Sequence, residues 1–357
     1  MADTPKKLGF VAPAEWEKHS AIWLAWPHDT VTFGSLNEKG EKLNKKRLPL
    51  VEQKYIEIIK AISPTEDVEL LVLNEEMQTK VTKMLTEAEV NLKDVSFTIT
   101  DYADVWLRDY GPFFINNTSI HEQGWVKWTY NAYGEKFEGL LKDNEVFLKL
   151  RGSIGKRMFE PEIVLESGAF DVNGNGIVLT SEQCLLSPNR NPHLTKLDYE
   201  KYFSDFLSAK KTIWLKNGLV GDHTDGHIDE IARFVSKDTI VCAYEEDEKN
   251  PNFAVLDENF KLLEKATDPE GNKFKIIKLP LPHLTYSNEE PVPASYTNFY
   301  IGNEVVLAAV FKDENDKKAI EILKECFPDR KIVPIDCSQI IYGGGAIHCM
   351  TMQQPAV

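Results

Sequence analysis

The chain of 357 residues carries 41 basic against 56 acidic side chains, a net charge of −15 with histidine neutral. That balance opposes binding to phosphate backbones and favours cationic small molecules, so nucleic acid is not an expected partner. The uncharged apolar run from Ala21 to Pro27 falls far short of the roughly 20 residues a membrane span needs, and the opening MADTPKKLGFVAPAEW lacks the apolar core of a secretory signal. A cytoplasmic protein with no membrane partner is expected. Cys184, Cys242, Cys326, Cys337 and Cys349 form an odd, scattered set without a CxxC pair, which argues against a disulfide framework and against a zinc ribbon.

In chain order, IWLAWP near residue 22 reads as part of a split unit whose other part is GGGAIHCMT at the end of the sequence. Leu50, Ile56, Ile59 and Ile62 recur at helical spacing, and VELLVL and VSFTIT follow as strands rich in residues that suit a pleated surface. Then comes a phrase used four times, an aromatic-led apolar run, a polar turn and a second run: GPFFINNTSIHE, FDVNGNGIVLTSE, ARFVSKDTIVCAYE and NFYIGNEVVLAAV. Turns at Asn116-Asn117, Asn173-Gly174, Ser236-Lys237-Asp238 and Gly302-Asn303 make each a predicted β-hairpin. The lead aromatics Phe113, Phe170, Phe234 and Phe299 are 57, 64 and 65 residues apart, close enough to constant for one repeated supersecondary unit.

KTIWL, KIIKLPL and KIVPI supply a later strand in three of these units, and Ala319, Ile322, Leu323 and Phe327 mark another helix. The unit is strand, strand, helix, strand, and about five of them in a closed ring account for residues 1–357 as a single α/β domain. Two ordinary α/β domains with similar hairpins are the alternative. No Gly/Ser-rich linker divides the chain, and EEDEKNPN and ATDPEGNK read as exposed loops.

Polar clusters sit at the unit junctions: WLRDYGP (106–112), LESGAF (165–170), GDHTDGHIDE (221–230) and GGGAIHCMT (343–351). Cys349 follows three glycines, where backbone approaches a ligand closely, and is the cysteine best placed as a nucleophile. GDHTDGHIDE packs two histidines and four carboxylates into ten positions. His223 and His227 are four apart, as in zinc-binding helices, but Thr224 stands where a metalloprotease has its glutamate, and Thr-Asp-Gly disfavours a helix. His227-Ile228-Asp229 fits a strand, which would turn a histidine and a carboxylate toward one cavity, the histidine as general acid and base. Asp109 and Glu166 each stand four residues before a lead aromatic. A thiol ringed by Asp109, Glu166 and Asp229 needs a cation to pair with them, and a guanidinium offers five N–H donors in a plane. Arg108 beside Asp109 has the alternative of an internal or surface ion pair, and Trp106 that of plain core.

Taken in order, PAEWEKHSAIWLAWPHD, WLRDYGP, LESGAFDVNGNG, LLSPNRNP, DHTDGHIDEIARF, ASYTNFY and GGGAIHCMTMQQP resemble the agmatine deiminase family of the guanidine-modifying, or pentein, superfamily across nearly the whole chain. The resemblance implies a five-unit α/β propeller, attack of Cys349 on a guanidinium carbon, proton transfer by His227, a covalent thiouronium intermediate and release of N-carbamoylputrescine from agmatine. It implies neither a metal nor an organic cofactor. Asp109, Glu166 and Asp229 match the carboxylates that hold the guanidinium, and Gly344 and Gly345 the close-approach glycines. Trp106, Asp222 and Asp225 are the further substrate-binding candidates, and a homo-oligomer is expected by analogy. Two positions depart from the pattern: Ser167 replaces a glycine, and His223 stands where an acidic residue is usual. Alternatives are an arginine or protein-arginine deiminase, for which Arg108, Arg190 and Arg233 are candidate carboxylate holders, a zinc hydrolase, and a non-catalytic guanidine- or polyamine-binding protein.

Overall fold

Every hairpin predicted from the sequence forms, and every one gains a third strand that runs parallel to its second. The computed structural model describes residues 3–29, 32–34, 47–286 and 290–357. Strands β1 (His19–Ala25), β2 (Asp67–Val72) and β3 (Val95–Ile99) pair in parallel in the first sheet. The second holds β4 (Phe113–Asn117), β5 (Glu122–Val126) and β6 (Arg157–Phe159), the third β7 (Phe170–Val172), β8 (Ile177–Ser181) and β9 (Lys211–Leu215). The fourth holds β10 (Ala232–Ser236), β11 (Thr239–Tyr244) and β12 (Lys275–Pro280), the fifth β13 (Tyr300–Ile301), β14 (Val305–Val310) and β15 (Lys331–Asp336). The last strand, β16 (Met352–Pro355), returns to the first sheet and lies antiparallel to β1, with His19 opposite Pro355 and Trp23 opposite Met352. The split unit is thereby joined, and the fold is mixed α/β.

A parallel pair needs a crossover, and each sheet has a helix there: Arg47–Ile62, Val146–Ile154, Lys196–Leu207, Phe253–Lys265 and Asp316–Cys326. The first of these buries Val51, Tyr55, Ile58, Ile59 and Ile62 along one face, the three- and four-residue spacing of an amphipathic helix. That face packs into one cluster with Leu24 and Leu70 of the first sheet and Leu307 and Ile335 of the fifth, so the helix ties two sheets together. Truncating a side chain such as Ile59 to alanine there costs about 2–5 kcal/mol.

One turn lies later than the sequence predicts. Asn116 and Asn117 stay in β4, and the chain reverses over residues 118–121. Asn116 exchanges backbone hydrogen bonds with Val11, and the Asn117 side chain donates to the Leu8 carbonyl. The N-terminal segment supplies partners that keep both asparagines extended.

Candidate functional site

Four short helical turns occupy the same place in their units, just before the strand that opens each hairpin: Leu107–Tyr110, Ser167–Ala169, Ile228–Glu230 and Ile347–Met350. They carry or abut Asp109, Glu166, Asp229 and Cys349, and in the fifth unit the corresponding segment brings Asn298. The strand expected over His227-Ile228-Asp229 is thus one of these turns instead. Its cause lies upstream, where the Asp222 carboxylate accepts from the Thr224 and Gly226 nitrogens and the Thr224 hydroxyl, and Thr224 in turn accepts from the His227 nitrogen. The loop is wound too tightly to enter a strand before Ala232.

The thiol of Cys349 is buried. The side-chain amide of Asn298 donates to its Sγ over 3.1 Å and also to Glu230 Oε1 over 3.0 Å. The Sγ hydrogen has two acceptors nearby, Asp229 Oδ2 at 3.6 Å and Glu230 Oε1 at 3.8 Å. Among the described residues Asp229 Oδ1 and Glu230 Oε2 have no partner, although both are buried. Such orphaned acceptors are costly unless a ligand supplies donors. The other oxygen of Asp229 accepts from His348 Nδ1 over 2.7 Å.

His227 is also buried, and neither of its ring nitrogens has a hydrogen-bond partner among the described residues. Its Nδ1 lies 3.7 Å from Asp109 Oδ1. Asp109 accepts from the Tyr133 hydroxyl over 2.8 Å and from the Gly168 nitrogen over 3.1 Å. A Cβ on Gly168 would come within 2.7 Å of Asp109 and of His227 and 3.3 Å of Asp229, so glycine keeps that space clear between the three. Ser167 fits without a positive φ, its hydroxyl buried and without a partner among the described residues. Gly345 keeps a second space clear, since a Cβ there would meet Cys349 Sγ at 2.9 Å.

Glu166 is placed differently from Asp109 and Asp229. Both its oxygens accept from Arg190 Nε, at 2.8 and 3.1 Å, and it groups with Cys184 and His227. It therefore backs the imidazole. Asp222 is used up within its loop, and Asp225 is held by Lys136, Asn189 and Arg190, so neither presents a free carboxylate. Trp106 does line a cavity of about 490 Å³ with His28, Asp29, Asp104, Tyr133 and His223 among its walls. Its ring lies where a Cβ on Gly343 or Gly345 would be, and its Nε1 donates to Asp104 Oδ2 over 3.1 Å. The His223 ring stands edge-on to Tyr133 and Phe137 and covers Gly344, whose φ is 113°.

Burial, then Asp229, Glu230 and Asp109, raise the Cys349 thiol well above its ordinary range. Burial likewise pushes Asp109 up to about 7. For His227 burial works against the charge, but Asp109, Cys184 and Glu166 outweigh it and raise the imidazole well above its usual value. Both shifts favour a neutral thiol beside an imidazolium. An incoming cation reverses the balance at sulfur by neutralising the carboxylates that oppose a thiolate.

Two groups of side chains are close enough to hold a metal, Glu166 with Cys184 and His227, and Asp229 with Glu230 and Cys349, the ligand atoms of each lying within 4.8 Å of one another. Arg190 already occupies the carboxylate of the first. The second offers mostly hard oxygens around the thiol, and neither combines His223 with His227, the pair that the zinc alternative needs.

Fold and site together place the protein in the pentein superfamily of guanidine-modifying enzymes. The chain belongs to the Porphyromonas-type peptidyl-arginine deiminase family, whose profile matches residues 11–355. A Legionella pneumophila (strain Paris) protein named "Putative agmatine deiminase" is 37% identical over 358 residues, covering 99% of this chain and 98% of the relative. The structure of the agmatine deiminase of Enterococcus faecalis superposes with a TM-score of 0.86 at 31% identity, covering 100% of this chain and 98% of that one. A cysteine-to-serine variant of the C. jejuni agmatine deiminase with substrate bound gives 0.83 at 30%, covering 97% and 96%. Asn298, Glu230 and Glu15 are not singled out by the sequence, and His348 counts there only as a neighbour that favours Cys349 as the nucleophile. Asn298 and His348 lie inside the matched motifs ASYTNFY and GGGAIHCMT, and Glu230 inside GDHTDGHIDE, but nothing local distinguishes them from structural polar residues.

Proposed function

We propose that this protein hydrolyses the guanidinium group of agmatine to N-carbamoylputrescine and ammonia. The observation that carries the reading is the state of the three arginines near the site. Arg108 is paired with Glu15, Arg190 with Glu166 and Asp225, and Arg233 with Glu15 and Asp171. Each is committed to buried carboxylates and offers no uncompensated charge to the α-carboxylate of free arginine, Arg108 Nη2 being the one nitrogen of these arginines that is buried without a partner among the described residues. The cavity beyond Trp106 instead contains Asp29 and Asp104, and its lysine, Lys142, is paired with Asp101, which suits a cationic far end.

In the reaction, the guanidinium lies between Asp109 and Asp229 and the thiol proton is lost to solvent as the cation binds. Sγ adds to the central carbon, His227 gives its proton to one amino group, and the C–N bond breaks to release ammonia. The neutral imidazole then takes a proton from water, the resulting hydroxide adds to the thiouronium carbon, and the C–S bond breaks. The product's surplus proton returns to the thiolate, which restores the starting pair. Glu166 with Arg190 orients His227 from behind.

The five ββαβ sheets support a closed five-bladed propeller forming one domain over residues 1–357. A cytoplasmic homo-oligomer is the proposed working form; among the described residues no helix is long and apolar enough to cross a membrane. Light scattering coupled to gel filtration checks the assembly.

The test is to incubate the protein with agmatine, arginine and an arginine-containing peptide in parallel and to measure ammonia and ureido product. Turnover of agmatine in preference to the others is expected. Preference for the peptide would move the function to protein-arginine deimination, the reading that the family's description and His223 in place of an acidic residue favour.

A further inference from the structure

Behind the candidate site lies a buried charge cluster that the reaction as described does not use. Glu15, from the segment preceding β1, accepts from Arg108 Nη1 over 3.0 Å and is paired with Arg233 Nη2. Arg233 Nε also donates to Asp171 over 3.3 Å. At the centre is His348, adjacent to the nucleophile. Its Nδ1 lies 2.7 Å from Asp229 Oδ2, and its Nε2 lies 3.0 and 3.2 Å from the two oxygens of Glu15.

A neutral imidazole has one N–H and one lone pair. Here both nitrogens face carboxylate oxygens, so a neutral ring would aim a lone pair at an anion inside a buried site. A ring with hydrogens on both nitrogens makes a charge-assisted bond on each side. It also completes the balance: Arg108, Arg233 and His348 against Glu15, Asp171 and Asp229. We propose that His348 is a positioning residue, a doubly protonated ring anchored by Glu15 that keeps Asp229 ionised and turns its free Oδ1 toward the guanidinium. This rests on the deiminase reading, since it assigns Asp229 to the substrate.

The surroundings agree. The backbone of His348 is fixed by Asn298, which accepts from its nitrogen, and by Arg108, whose Nε donates to its carbonyl over 3.3 Å. Besides His348, the charged and titratable groups acting on Asp229 are Cys349, His227, Glu230, Asp109 and Arg233. Despite burial, which opposes its charge, the Asp229 carboxyl is held below its usual range by His348, His227 and Arg233. Glu15 is likewise held well below its range against burial by Arg233, His348 and Arg108.

His348→Asn keeps a donor near the position of Nδ1 but removes the charge. An opposite charge at this distance lowers a carboxyl by about 1–3 units, so the titration of the Asp229 carboxyl, followed by ¹³C NMR of aspartate-labelled protein, is expected to move up by about that much, with KM rising more than kcat falls. A ring needed only for packing would lower activity without moving that carboxyl. Independently of turnover, ¹⁵N NMR of histidine-labelled protein at pH 7.5 should show both His348 nitrogens protonated, and Glu15→Gln should abolish that signature. An unmoved Asp229 carboxyl in folded His348→Asn, or a singly protonated ring in the unmodified protein, overturns the proposal. If no guanidine is turned over at all, the functional reading fails, while the NMR result still decides the state of the ring.

Discussion

Asn298 grips the nucleophile from two sides: its amide nitrogen donates to Cys349 Sγ, and its amide oxygen accepts from the backbone nitrogens of His348 and Cys349, at 2.9 and 3.3 Å. With the Ala346 backbone it is a neutral donor to the sulfur, set against carboxylates that oppose a thiolate. Hydrogen bonds to charged groups contribute about 1.5–3 kcal/mol. Asn298→Ala is therefore expected to lower kcat by roughly ten- to a hundredfold, and Asn298→Asp by more, because it adds a negative charge. Steady-state kinetics on variants whose circular dichroism matches the parent check this.

Cys349→Ala should abolish turnover in a folded protein. Replacing Cys242, Cys326 or Cys337, which lie away from the site, should leave the rate nearly unchanged. Cys184 stands apart from these three, because it helps to raise His227. Cys184→Ala should shift the alkaline limb of the rate profile to lower pH; a profile identical to the parent's would remove Cys184 from the account.

The raised Cys349 thiol predicts slow alkylation by iodoacetamide at pH 7 in the free protein, accelerating as pH rises. Guanidinium chloride at concentrations too low to unfold the protein should speed the reaction at fixed pH by pairing with the carboxylates, where sodium chloride does not. Mass spectrometry of the Cys349 peptide gives the rates.

Asp104, Asp109 and Asp143 are each pushed by burial up to about 7, above the value near 3.9 expected on unfolding. Between those values the folded state binds more protons, so each carboxyl makes stability fall as pH rises. The raised His227 acts in the same sense, its contribution being lost as pH rises through its folded pKa. The melting temperature of the free protein is expected to decline from pH 5 to pH 8, and agmatine should reverse much of that decline at pH 8. A melting temperature that rises over this range contradicts the assignment.

Burial lowers the basicity of His223, leaving an uncharged ring over the cavity. His223→Glu should lower KM for agmatine several-fold yet leave n-butylguanidine, which lacks the far ammonium, unaffected. Equal effects on both would remove His223 from recognition of the far end.

The repeating hairpins were legible in the sequence because each carries its own turn residues and alternation, and the polar junctions because their density exceeds what a turn requires. Their internal assignments were less so. Glu166 and Asp109 occupy equivalent sequence positions, yet Arg190 claims one and leaves the other facing His227. Asp222 and Asp225 share a motif with Asp229, but Asp222 folds back on its own loop and Asp225 is claimed by Lys136, Asn189 and Arg190. Those outcomes depend on contacts between distant segments, as does the role of Glu15, whose partners lie 93, 218 and 333 positions away.

The pairing of β16 with β1 joins residues 19 and 355, and the turn bearing Cys349 leads directly into that strand. Loop closure over such a separation is entropically costly and tends to come late. A chain that has assembled its other sheets thus already has its carboxylates and His227 but no nucleophile in register. Reactivity is switched on by the seam itself, so recovery of activity on refolding should trail recovery of secondary structure and report the closing of this one strand pair.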